Sequence, residues 1–162
     1  MPNRHLSRTI AMQTLYEWDF QKKRDLKEII ERNIKAFEKE DCDRDYINKV
    51  VKGVTKKMRV LDKKIQEAAT EWPLDQIPIL DKTILRLSAF ELLFMDDIPP
   101  KVAINEAVEL SKTFGSENTS KFVNGVLGTL YRSSERYVPD EGDVKRNWAK
   151  LQDKIKKSQK PA

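Results

Sequence analysis

Apolar residues recur along this chain at intervals of three and four, and no stretch keeps the two-residue alternation of a strand. Prolines at positions 2, 73, 78, 99, 100, 139 and 161 leave three windows free of helix breakers, 3–72, 79–98 and 101–138. The pattern predicts an all-α chain. A first helix over about 3–21 has the core arc Leu6, Ile10, Ala11, Leu15 and Trp18. Asp25-Leu26-Lys27-Glu28 has the form of a capping box and opens a second helix with the stripe Leu26, Ile29, Ile30, Ile34 and Phe37. After an acidic connection over 38–45, one long third helix carries Ile47, Val50, Val51, Val54, Met58, Leu61, Ile65 and Ala68. Gly53 inside it costs about 1 kcal/mol relative to Ala, so it is read as the mark of a close helix crossing.

The segment 72–78 ends that unit. The next helix, about 81–95, is apolar almost all the way round (Ile84, Leu85, Leu87, Ala89, Phe90, Leu92, Leu93, Phe94), which predicts the most buried position in the molecule. A helix over 101–114 follows and stops at Gly115; Ser116-Glu117-Asn118-Thr119 opens a last body helix to about 134. The expected architecture is two three-helix bundles, about 1–72 and 73–138, in one domain. Residues 139–142 read as a linker. Beyond them Val144, Trp148, Leu151 and Ile155 recur at i, i+4, i+7 and i+11, so the tail 139–162 is expected to form an amphipathic helix, docked on the body or awaiting a partner.

Charge changes this picture less than its total suggests. The 162 residues carry 31 Lys and Arg against 26 Asp and Glu, a net +5. Seven of those bases and two of the acids lie from Asp143 onward, so residues 1–142 hold 24 of each and are formally neutral. Five unclustered glycines exclude a Gly-rich phosphate loop, and the single Cys42 excludes an intrachain disulfide framework. The single His5, with no His or Cys near it in sequence, argues against a metal site or a hydrolytic triad. No catalytic residue, metal or cofactor is expected. Neither a signal peptide nor a membrane span is read, and the expected location is cytoplasmic.

Two helix faces carry candidate chemistry. On the last body helix Lys121, Gly125, Gly128 and Arg132 lie opposite the apolar arc, with Asn118 beside them and Phe122 at the border. On the first helix His5, Arg8, Met12 and Tyr16 follow a face read as pointing away from the core, with Arg4 adjacent. Cations interleaved with an exposed ring suit single-stranded RNA, since cations take phosphates and a ring stacks a base. Solvated polar faces are the competing reading of both. Glu91, on a nearly all-apolar helix, requires either a structural ion pair or a partner. Asp81 is read as an N-cap that could equally face a partner.

Several ordered blocks carry a family resemblance: Ile84-Leu85-Arg86-Leu87, Glu91-Leu92, Asp97-Ile98-Pro99, Val102-Ala103-Ile104-Asn105-Glu106-Ala107-Val108-Glu109-Leu110, Phe114-Gly115 and Lys121-Phe122-Val123-Asn124-Gly125-Val126-Leu127. Together with Arg8, Ala11 and Leu15-Tyr16 they resemble the NusB family of bacterial transcription antitermination factors, over about 4–133. The resemblance implies an all-helical, non-catalytic protein that binds boxA-type single-stranded RNA of ribosomal RNA transcripts. It does so as a heterodimer with NusE, a small-subunit ribosomal protein, acting indirectly with other Nus factors and RNA polymerase. Arg4, Arg8, Tyr16, Lys121 and Phe122 match the family's RNA surface, with Asn118 in the loop beside it; Asp81 and Glu91 are candidates for the NusE-facing side. Relative to the family pattern, the N-terminal basic cluster is thin and the amide of Asn118 stands where an acid is common. Other roles in view are the NusB-like domain of ribosomal RNA cytosine methyltransferases, a helical protein–protein scaffold, and a homodimer.

Overall fold

The computed structural model describes residues 3–37 and 40–159; Glu38 and Lys39, in the expected acidic connection, lie outside them, as do both chain ends. Eight α-helices follow one another: α1 Arg4–Phe20, α2 Leu26–Ala36, α3 Arg44–Lys56, α4 Met58–Ala68, α5 Ile79–Phe94, α6 Pro100–Phe114, α7 Glu117–Arg132 and α8 Glu141–Ser158. A single 3-10 turn, Leu74–Gln76, precedes α5, and no strand occurs among the described residues.

Local sequence accounts for most of the helix boundaries. Asn3, Asp25 and Asp43 each accept a hydrogen bond from a backbone N–H of the turn they open. Ser116 and Thr119 form a reciprocal capping box at α7. Pro100 opens α6, where its missing N–H costs nothing. The start of α5 differs from expectation. Pro78, not Asp81, occupies the N-cap position, and Asp81 falls within the first turn. There its carboxylate still faces the positive end of the helix.

The long third helix is interrupted. At Lys57 the backbone leaves the helical region (φ −104°, ψ 20°), and a separate helix, α4, starts at Met58. The Lys57 ammonium lies over the Phe94 ring, 4.5 Å from its centroid. The break has an architectural result. While α1, α2 and α3 pack together, α4 packs on α5 and α7, so the second group is four helices, α4 to α7, rather than three. Buried α5 also touches α1 and α3, and one continuous core runs from Ile10 through Val50, Leu85 and Leu92 to Leu130. Each such aliphatic side chain contributes on the order of 1.5–3 kcal/mol by leaving water.

Gly53 is where α3 and α5 approach: a Cβ there would overlap the ring of Phe90. The α5 C-terminus is closed by Arg136, whose guanidinium donates to the carbonyls of Leu92, Met95, Asp96 and Ile98. Every residue of α8 whose side chain is described is exposed. No helix among the described residues is long and apolar enough to cross a membrane.

Candidate nucleic-acid interface

α1 is held between α2 and α3 on one side and α5 on the other, so little of its circumference is free. Ser7, Arg8, Met12 and Thr14 are buried together with Ile10, Ala11 and Leu15 of the expected apolar arc, whose end members Leu6 and Trp18 are only partly buried. Arg8 and Met12 therefore do not lie on an outer face, and this corrects the sequence expectation. Arg8, 3% exposed, donates from Nε to both Glu91 carboxylate oxygens, at 3.0 and 3.2 Å, and from Nη2 to one of them at 3.1 Å. The Tyr46 hydroxyl donates to the same carboxylate. Glu91, 1% exposed, is thus the structural half of an ion pair and has no open side for a partner.

The charge states follow from the surroundings. Burial works against the Arg8 guanidinium, but the Glu91 hydrogen bonds and charge outweigh it and hold its pKa above the ordinary arginine value. Burial, with the facing Glu91 carboxylate, pushes the Tyr46 phenol far above its usual range, so it stays a donor. Around this buried knot sit two more accessible side chains, Arg4 and His5. Arg4 pairs with Asp43 at 3.1 Å and lies over the Tyr46 ring, 4.4 Å from its centroid. His5 Nδ1 is 3.0 Å from Glu106, whose carboxylate also stands 3.8 Å from Arg8. What remains open on α1 is a narrow strip containing His5, Tyr16 and Phe20. Tyr16 and Phe20 form an edge-to-face pair with centroids 4.9 Å apart, 37% and 57% exposed.

The second face, on α7, gathers more. Phe122 is half-buried and meets Trp72 edge-on at 6.4 Å, and Trp72 itself is 52% exposed. These rings form the wall between two depressions. One, of about 800 Å³, is lined by Trp72, Ile77, Pro78, Asp81, Phe114, Asn118 and Phe122. The other, shallower, is lined by Glu71, Trp72, Lys121, Phe122, Gly125 and Thr129. Asn118, Lys121 and Phe122 therefore share one site, and Asp81 joins them. Burial raises the Asp81 carboxyl above the ordinary aspartate range, against the pull of its own backbone amide. A Cβ at Gly125 would meet nothing within 4 Å, whereas Gly128 is covered by the Arg132 guanidinium. Arg132 is exposed at the far end of α7, about 16 Å along the helix from Lys121. Among the described residues no hydrogen bond, ion pair or ring contact links the α1 strip to the α7 face.

Sequence reasoning missed Trp72, Phe20, Tyr46 and Glu106. Trp72 was legible only as the end of a helical unit before Pro73, since its pairing with Phe122 depends on how α4 meets α7. Glu106 lies inside the stretch Val102–Leu110 that carries the family resemblance, but only packing makes it a partner of His5 and Arg8.

Residues 5–132 match the profile of the NusB family. The transcription antitermination protein NusB of Clostridium novyi (strain NT) is 43% identical over 134 residues, covering 81% of this chain and 99% of that one. The chain belongs to the NusB family. A solved structure of T. maritima NusB aligns with a TM-score of 0.75 and 30% identity, covering 83% of this chain and 94% of that one. A NusB chain in a crystal structure of antitermination factors NusB and NusE in complex with dsRNA aligns at 0.71 with 26% identity, over 78% and 94%. The NusB match stops before residue 139, so α8 lies outside the part that defines the family.

Proposed function

We propose that this protein is a non-catalytic RNA-binding adaptor of transcription antitermination, taking boxA-type single-stranded RNA of ribosomal RNA transcripts together with NusE. Through that pair it acts with other Nus factors on RNA polymerase and assists ribosomal RNA maturation, in the cytoplasm. The observation that carries the reading is the α7 face, where exposed Lys121 and the neutral amide of Asn118 flank the Trp72–Phe122 ring pair. A cation for phosphate, ring edges and faces for unpaired bases, and no ionised group on the Asn118 side chain suit single-stranded RNA. His5, Tyr16 and Arg4 on α1 are a second candidate contact, and Arg132 a phosphate contact further along the strand. Arg8 serves by holding α1 in place and not by touching RNA. Asp81, at the floor of the larger depression, is the candidate on the NusE side.

The test is a salt-titrated binding assay with a boxA-type oligonucleotide and a scrambled one, each with and without NusE. Weak binding alone, tighter binding with NusE and affinity falling with salt are expected. Tyr16→Ala and Phe122→Ala should each weaken binding by about 1–3 kcal/mol if a base stacks on the ring. Equal affinity for the two oligonucleotides with NusE present would overturn the reading.

A further inference from the structure

The feature left over is α8. Its surroundings on the chain are firmly held: Arg136 is anchored on the α5 carbonyls, and the Tyr131 hydroxyl bonds to both the amide and the carbonyl of Val138. Three residues further on the helix leaves the body, with Val144, Trp148, Leu151 and Ile155 exposed at 55, 60, 48 and 46%. At 100° per residue these four fall within an arc of about 60° and extend over three turns, about 16 Å. We propose that α8 is a docking helix, inserting this seam into an apolar groove with an acidic rim formed by helices of another protein.

Width and charge select that occupant. A seam confined to a/d-type positions matches the space between helices, whereas a helix lying in a bilayer surface presents a broader apolar face. The positions flanking the seam are Lys145, Asn147, Gln152 and Lys154; behind them Lys150 and Lys156 add positive charge while Lys157 pairs with Asp153 at 3.3 Å, so a complementary rim carries carboxylates. A second copy of α8 has no carboxylate at these flanking positions to meet the lysines. RNA would satisfy the cations and stack Trp148, yet leave Val144, Leu151 and Ile155 in water. The larger depression is built on the start of α7, at Asn118, Thr119 and Phe122, whereas α8 follows the other end of that helix after residues 133–140, so the two surfaces share no residue.

The experiment titrates the full chain into a fluorescently labelled synthetic three-heptad helical peptide with Leu along its seam and Glu at the flanking positions. The control is the same peptide with Lys flanks. Binding of the Glu peptide at least about tenfold tighter is expected. The double substitution Trp148→Ala, Leu151→Ala should remove that binding, and Lys145→Glu with Lys154→Glu should reverse the preference. Because α8 lies off the body, these variants should leave RNA affinity with NusE unchanged in ratio between boxA-type and scrambled oligonucleotides. The proposal is overturned if the two peptides bind equally or not at all, or if the Trp148, Leu151 pair is immaterial. It is equally overturned if α8 instead directs binding to phosphatidylglycerol vesicles or RNA, or self-association, without binding the Glu peptide.

Discussion

Arg8 and Glu91 stand 83 residues apart in sequence and share one buried carboxylate–guanidinium contact, with the Tyr46 hydroxyl completing it. Neither charge could remain alone in that position, since a buried ion without its partner loses several kcal/mol of solvation. Arg8→Ala and Glu91→Ala should therefore each lower unfolding stability by roughly 3–5 kcal/mol, as measured by urea denaturation. The paired replacement Arg8→Met, Glu91→Leu, made with Tyr46→Phe so that no buried hydroxyl loses its acceptor, should cost much less, because it removes both charges and keeps the volume. If the pair replacement proved as damaging as either single one, the knot's role would lie elsewhere than in mutual compensation. The need for a partner was legible in the sequence, because a bare carboxylate on an apolar helix demands one. The identity of the partner was not. It depends on the side of α1 that meets α5, and helical periodicity placed Arg8 opposite Ile10 without revealing that α1 is covered on both sides.

At the scale of elements, helix existence and most caps followed from spacing, prolines and capping residues, and Gly53 was read as a crossing point before its neighbour was known. Phe90 is that neighbour. Gly53→Ala should destabilise the protein by roughly 1–3 kcal/mol through overpacking, despite a helix-propensity gain of about 1 kcal/mol. Gly125→Ala, in open space on α7, should instead raise the melting temperature. The contrast between two helical glycines, read by thermal denaturation, separates packing from propensity; a Gly53→Ala protein as stable as the parent would refute the close crossing. The break at Lys57 was not legible. Apolar residues keep their three–four rhythm across it, so one continuous helix and two separate ones present the same pattern, and what distinguishes them is that α4 packs on α7 while α3 packs on α1.

For the whole molecule, the distribution of charge separates two kinds of binding. The body is formally neutral and sorts a few cations beside rings, while six of the seven bases from Asp143 onward lie in α8, a helix that contributes nothing to the core. Attraction to a phosphate backbone scales with the number of cations and weakens with salt, whereas discrimination between sequences comes from contacts to bases. Removing residues 139–162 should thus leave the body folded, since every side chain described in α8 is exposed. The truncated protein should bind boxA-type and scrambled RNA more weakly by the same factor, with a shallower salt dependence and an unchanged ratio between the two. A fall in the ratio itself would place sequence reading in the tail and take it away from the Trp72–Phe122 face. An unchanged salt slope would refute that non-specific contribution, because it would show that the lysines of α8 never approach the RNA.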